Sequence, residues 1–275
     1  MINQLGTKFR GNNVKKVFGA LLLFLFPFFT QAQSPYELKP STDYSLIGIG
    51  ALSLTVGTVL ENNTTVLSVS DINDLNPNDI NSFDRNAIYN YSESARKTSD
   101  ILLYGSLAAP LALLLDKKIR NDWVTVGVMG IEVLMITYGV TSSTKASVLR
   151  TRPYAYNPNV DLEIKQEPDA RYSFFSGHTA VSASVTFFAA KVYADTHPNS
   201  KWKPLVWAGA VVIPAATGWA RVEAGKHFPT DVITGYAIGA AIGYFIPVLH
   251  LKKDDSKATL HLEPSMEGMA LRLVF

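Results

Sequence analysis

Three clusters of charged and hydroxyl-bearing residues stand where long apolar stretches of this chain end, and each has the composition of an anion site. In the first, Lys145 and Arg152 lie seven positions apart, followed by Pro153. A helix continuing to Arg152 puts both cations on one face, roughly two turns apart, where they suit a dianion; the guanidinium grips phosphate oxygens with paired hydrogen bonds. In the second, Ser176, Gly177 and His178 immediately precede the apolar stretch 179–194. A helix starting there points free backbone N–H groups and its positive dipole end outward, Ser176 adds a hydroxyl, and Gly177 lets an anion approach the backbone. His178 then sits at the rim, placed to give or take a proton. The third holds Arg221, His227 and Asp231. A helical turn starting near Pro229 brings the Asp231 carboxylate to one imidazole nitrogen of His227, which fixes the tautomer and leaves the other nitrogen free to attack; Arg221 supplies a third cation. Taken singly, the first cluster also reads as the basic flank of a membrane helix and the second as a capping histidine.

The elements that must position these clusters are apolar and helical. Charged residues make up 17% of the 275 residues, against roughly 25% in a soluble domain. The net charge of +2 argues against a nucleic-acid partner, and the absence of cysteine excludes disulfides, thiolate metal sites and a cysteine nucleophile. Six apolar stretches, 44–60, 101–115, 123–140, 179–194, 205–220 and 232–249, each approach the length needed to cross about 30 Å of hydrocarbon. The linkers 116–122, 197–203 and 251–257 are basic and share one side if the last five stretches all span, which makes that side cytoplasmic. Gly235, Gly239 and Gly243 recur at four-residue spacing, a pattern that lets helix backbones approach closely.

The remaining segments read as follows. Lys8, Arg10, Lys15 and Lys16 precede an apolar run at 17–29 and then Thr30, Gln31 and Ala32, the form of a secretory signal cleaved after Ala32 or of an uncleaved anchor. Residues 62–100 read as a polar, asparagine-rich exposed loop, without apolar periodicity until Ala87, that ends in the approach to a helix, and 258–275 alternate around Pro264 and Gly268 as a short hairpin. The organisation expected is a signal or anchor at 1–32, a first helix and polar loop at 33–97, a catalytic helical core at 98–250 and a tail at 251–275. One conflict stands. With the basic linkers inside, stretch 44–60 begins in the cytoplasm, whereas a cleaved signal starts it in the periplasm, so either that stretch is partly inserted or the signal is not processed. Glu132, inside the third stretch, reads as a structural or neutral contact rather than a catalytic one, and His197, His250 and His261 read as structural.

In order and spacing the three clusters resemble the signature of the type 2 phosphatidic acid phosphatase superfamily, which also contains bacterial class A acid phosphatases and vanadium haloperoxidases. That signature runs K-x6-R-P, then P-S-G-H, then S-R-x5-H-x3-D. Here it reads Lys145-x6-Arg152-Pro153, then Phe175-Ser176-Gly177-His178, then Ala220-Arg221-x5-His227-x3-Asp231, with Phe175 in place of proline and Ala220 in place of serine. The resemblance covers 102–249. It implies an all-α, six-helix membrane bundle, here with a C-terminal β-hairpin. It also implies a phosphatase that cleaves a lipid phosphomonoester or diphosphate through a phosphohistidine. By it, His227 is the nucleophile, Asp231 its orienting carboxylate, and His178 the acid and then the base. Lys145, Arg152, Ser176, Gly177 and Arg221 are the phosphate cradle. It implies no cofactor and no catalytic metal, and a phosphorylated lipid as partner. With the basic linkers on the cytoplasmic side, the expected location is the inner membrane of a bacterial envelope with the site facing the periplasm. The rival activities are a soluble secreted acid phosphatase, a vanadium haloperoxidase and a silent membrane scaffold.

Overall fold

The computed structural model describes residues 34–252 and two C-terminal strands, Thr259–Ser265 and Gly268–Val274, which pair antiparallel. The signal or anchor expected at 1–32 lies outside the described residues. Six long helices carry the fold: α1 (Pro40–Asn62), α2 (Glu93–Ser106, prolonged by short turns to Leu115), α3 (Trp123–Val148), α4 (Gly177–Thr196), α5 (Lys203–Glu223) and α6 (Pro229–Leu249). The helical segments containing α1, α2, α3, α5 and α6 are each long and apolar enough to cross a membrane. Their outer faces expose large apolar side chains, among them Leu52, Ile101, Leu115, Val212 and Phe245. A surface of that kind needs a hydrocarbon solvent, and this is a membrane protein.

Helix α4 differs from the other five because it is the axis of the bundle, packed against α2, α3, α5 and α6. Its buried positions are mostly small or hydroxyl-bearing, including Ala180, Ser182, Ala183, Ser184, Thr186, Ala189 and Ala190. The hydroxyls of Ser184 and Thr186 are satisfied by carbonyls of their own helix, Val181 at 3.0 Å and Ser182 at 2.8 Å. The glycine stripe of α6 explains how close the packing is. A Cβ on Gly235, Gly239 or Gly243 would collide with the carbonyl oxygens of Ser176, Ala180 and Ser184 respectively, so α6 lies directly on one row of α4 backbone. This register sets Ser176 beside the start of α6, where its N–H donates to the Asp231 carbonyl at 3.0 Å.

The bundle has two ends of different character. Gly50 lies against Met135 and Gly57 against Ser142, so α1 runs parallel to α3 and starts at the same end. At that end Tyr36 bridges Leu251, the Glu37 N–H donates to the His250 carbonyl, and His197 meets Asp116 at 3.2 Å. The linkers 116–122 and 197–203 and the start of 251–257 therefore share this end, and the three clusters lie at the other. With 23 residues, α1 is long and apolar enough to cross a membrane, as a full span requires.

The polar segment 62–100 is more ordered than its composition implies. It forms a short helix (Val69–Asn73) and two tight turns, and α2 starts at Glu93, eight residues before the apolar stretch. Ile80, Ala87 and Ile88 bury against Phe228, and Leu67 buries against Tyr154, Ala155, Val160 and Ala170. These few apolar contacts fasten the segment over the cluster-bearing end.

Candidate active site

The first cluster is built differently from the single helix expected. Helix α3 stops at Val148 because Leu149 adopts a left-handed backbone, with φ 51°, and closes the helix with its N–H on the Lys145 carbonyl. Arg152 follows in extended backbone, its N–H held by the Ala170 carbonyl at 2.8 Å, and a short turn (Pro153–Tyr156) begins after it. The two cations thus reach the site from a helix end and from a loop. Lys145 Nζ lies 3.8 Å from where a Cβ on Gly177 would stand, so the ammonium sits over the start of α4.

At that start Ser176 is extended, and no side chain caps the helix. The first intrahelical bond runs from the Ala180 N–H to the Ser176 carbonyl, which leaves the N–H groups of Gly177, His178 and Thr179 without an intrahelical acceptor. The Ser176 hydroxyl is buried and paired with the Thr179 hydroxyl at 2.9 Å. Phe175, standing where the signature has proline, is fully buried.

His227 is buried in the loop between α5 and α6, which turns at Gly225. Gly225 has φ 68° and lies so close to the Asn90 carbonyl that no Cβ fits. The ring of His227 places Nδ1 2.7 Å from the Ser173 carbonyl and Nε2 3.5 Å from Arg152 Nη1. A carbonyl only accepts, so Nδ1 carries the proton and Nε2 presents its lone pair to the cradle. Burial, and after it the charges of Arg152, Lys145 and Arg221, hold the imidazole well below its ordinary proton affinity, which keeps Nε2 free at neutral pH.

Asp231 does not make the direct hydrogen bond to His227 that the spacing implies. Its nearest oxygen is 3.7 Å from Nδ1. The carboxylate instead accepts from the Ser173 hydroxyl at 2.5 Å, the Phe228 N–H at 2.9 Å and Arg150 at 2.5 Å. It fixes the Ser173 segment, and Ser173 in turn fixes the ring. Arg150 continues this brace to the buried Asp84 at 2.7 Å, and Asp84 also accepts from the Thr230 N–H at 3.0 Å. The segment 62–100 thereby ties down the first turn of α6.

Arg221 is buried with Nη1 3.3 Å from the Ser99 hydroxyl and 3.8 Å from Asp100, and its Nε has no partner among the described residues. His178 places Nε2 2.9 Å from Asp100. Asp100, which also takes Arg96 at 3.1 Å, is a site residue that the chain-local clusters do not include; it comes from α2, 78 positions before its histidine. Arg152 is further engaged by Asp169 at 2.6 Å, and Lys226 stands 3.7 Å from the same half-exposed carboxylate. Partial burial raises the Asp169 carboxyl, but Arg152, Lys226, Lys145 and His227 outweigh it and hold the group down at about 2. A polar cavity of about 290 Å³, lined by Tyr91, Arg96, Glu167 and Lys226 among others, opens beside this layer.

Lys145, Arg152, His178, Arg221 and His227 therefore gather about the start of α4, whereas Asp231 and the Ser176 hydroxyl are engaged by neighbouring protein groups. Residues 127–255 match the family model described as the PAP2 superfamily. Over these residues the chain is similar to that superfamily. Among similar proteins, the lipid A 4'-phosphatase of Porphyromonas gingivalis is 26% identical over 148 residues, covering 53% of this chain and 59% of that protein. The bacitracin transport permease protein BcrC of Bacillus licheniformis is 31% identical over 122 residues, covering 41% of this chain and 54% of that one. The chain thus spans less than two thirds of either relative's length. The crystal structure of a transmembrane PAP2 type phosphatidylglycerolphosphate phosphatase from Bacillus subtilis aligns over 75% of this chain and 96% of that one, with 19% identity and a TM-score of 0.46.

Proposed function

We propose that the protein is a membrane lipid phosphate phosphatase that works through a phosphohistidine on His227. The observation that carries this reading is the setting of His227 Nε2: a lone pair facing Arg152, beside an uncapped helix start, at one end of an apolar bundle. In the first step Nε2 attacks phosphorus, and the bond from phosphorus to the lipid oxygen breaks. His178 gives its proton to the departing oxygen. In the second step water attacks the phosphohistidine, His178 takes the water's proton, the phosphorus–nitrogen bond breaks and phosphate leaves. Lys145, Arg152 and Arg221, with the N–H groups of Gly177, His178 and Thr179, stabilise charge on the equatorial oxygens throughout. Asp231 positions His227 through Ser173, and Asp100 positions His178.

The substrate class is a lipid phosphomonoester or diphosphate. The relative named as a lipid A 4'-phosphatase supports this, as do the apolar flanks that would hold acyl chains beside the site. Phosphate release by detergent-purified protein across phosphatidate, phosphatidylglycerophosphate, undecaprenyl diphosphate and lipid A tests it. Turnover of at least one lipid, lost in His227→Ala, is expected; turnover only of water-soluble esters would reject a lipid phosphatase.

The site is placed on the periplasmic side of an inner membrane, because the basic linkers gather at the opposite end. The chain has no cysteine, so single probes report cleanly. Asn159 and Asn121 are exposed at the two ends, whereas Asn157 is buried and unsuitable. Asn159→Cys is expected to label from outside the cell and Asn121→Cys only after permeabilisation.

A further inference from the structure

The end opposite the phosphate cradle contains a second convergent cluster, formed by Asp43 in the first turn of α1, Glu132 within α3 and His250 just after α6. One donor atom from each lies within 4.8 Å of the other two. His250 Nε2 is 2.7 Å from Asp43 Oδ1 and 3.3 Å from Glu132 Oε2. His250 Nδ1 is 2.8 Å from the Ile246 carbonyl, an acceptor only, so Nδ1 carries a proton and Nε2 is the atom that faces the two carboxylates, as an N–H donated to Asp43 when no metal is bound.

Three electron-pair donors facing one another require a cation among them. A proton on Nε2 serves Asp43 but leaves Glu132, which is completely buried and whose two oxygens have no hydrogen-bond partner among the described residues. With both carboxyls ionised the cluster would then keep one net negative charge inside an apolar bundle, a costly state that either a proton on Glu132 or a metal ion removes. Lys39 does not relieve it, since its ammonium is spent on the carbonyls of Leu249 and Leu251 and on Glu37. A divalent ion satisfies all three donors and brings the net charge to zero. A ring N–H donated to a backbone carbonyl is also the usual way a ligating histidine is oriented.

We propose that Asp43, Glu132 and His250 bind one divalent first-row transition cation that clamps α1 to α3 and α6. One imidazole and two carboxylates suit zinc, manganese or ferrous iron, whereas magnesium and calcium prefer oxygen alone. Bonds of about 2.1 Å around a tetrahedral ion separate ligand atoms by roughly 3.4 Å, close to the Nε2 to Oε2 spacing, while the Asp43 contact must widen by about 0.7 Å. Asp43 is slightly exposed and provides the way in. Glu132 and Lys145 are 13 positions apart on α3, about 20 Å, so the ion lies outside the phosphate chemistry.

The test uses the full chain in detergent, stripped with a chelator and dialysed against micromolar zinc or manganese. Metal per chain is then measured by mass spectrometry and stability by thermal unfolding. The wild type should retain about one ion and gain about 5 °C in midpoint. Glu132→Gln and Asp43→Asn should lose both responses, while His227→Ala should keep both, which separates this site from the catalytic histidine. Metal retained by the Glu132→Gln protein, or a wild type that neither holds an ion nor shifts its midpoint, overturns the proposal. Should Glu132→Gln fail to fold, Asp43→Asn at the rim makes the same comparison.

Discussion

His227 and His250 sit at opposite ends of one bundle and use the same device with opposite results. Each ring donates Nδ1–H to a backbone carbonyl, Ser173 at 2.7 Å and Ile246 at 2.8 Å, and each thereby turns Nε2 toward its surrounding cluster. What differs is the company. Nε2 of His227 faces Arg152 within a cradle of cations, whereas Nε2 of His250 faces Asp43 and Glu132. A lone pair among cations meets an electrophile that arrives with negative charge, which describes a phosphoryl group. A lone pair among carboxylates meets a positive ion. Tautomer control is thus generic, and the surrounding charge decides the chemistry.

The largest expected effect breaks the first half of this comparison. His227→Ala should lower phosphate release by about 10⁴-fold or more and abolish the acid-labile phosphoenzyme for every substrate, because no neighbouring group replaces the attacking nitrogen. His250→Ala should leave the phosphoenzyme in place, and its absence there would show the two ends to be coupled.

Next in size is the loss of His178. The cost of His178→Ala with a lipid alkoxide leaving group should be roughly 10²–10⁴-fold, since that oxygen needs a proton. With p-nitrophenyl phosphate the first step needs the proton less, so rapid-quench traces should show a burst of nitrophenol and then a stall with phosphate left on His227. Equal losses for both substrates and no burst would count against the division of labour, and a burst from His227→Ala would reverse it.

Asp100→Asn sharpens the reading at lower amplitude. An amide keeps the shape but not the charge that favours a protonated His178, so a loss of roughly tenfold is expected. It should be confined to substrates with poor leaving groups and should move the basic limb of the pH–rate profile down. A uniform loss across leaving groups would make Asp100 a structural contact only.

The smallest effect concerns pH. Burial, followed by the Arg152, Lys145 and Arg221 charges, depresses the proton affinity of His227, so the group is protonated only well below the ordinary histidine value of about 6.5. The rate of phosphoenzyme formation from p-nitrophenyl phosphate should therefore hold as pH falls through 6.5 and decline only at lower pH. Arg152→Gln should shift that limb upward. The sign follows from linkage, because a histidine kept neutral by the fold loses its share of stability when acid finally protonates it.

The proposed cradle is legible in the chain because its parts are close in sequence: Lys145 with Arg152, Ser176 with His178, and Arg221 with His227 and Asp231 each lie within ten positions. What escaped reading depends on packing. Asp100 meets His178 across 78 positions, and its helix begins in residues whose polarity reads as loop. Asp43 meets His250 across 207 positions, so His250 reads as unpartnered and Glu132 as an isolated buried acid. The carbonyl of Ser173 carries no side-chain signal at all, and it took the hydrogen bond that spacing assigns to Asp231. Helix α4 shows the same limit in reverse. Its small and hydroxyl residues resemble a weak membrane span because they face other helices on all sides, where the remaining five meet lipid.

The parallel course of α1 and α3 gives the molecule a definite handedness with respect to the bilayer. Ser34 enters α1 at the end where Tyr36 joins Leu251, and the phosphate cradle opens at the far end. In a bundle that spans the bilayer, Ser34 and the phosphate cradle therefore face opposite aqueous compartments. The amino-terminal residue of the purified chain, compared with the compartment in which it turns over substrate, would read that sidedness directly.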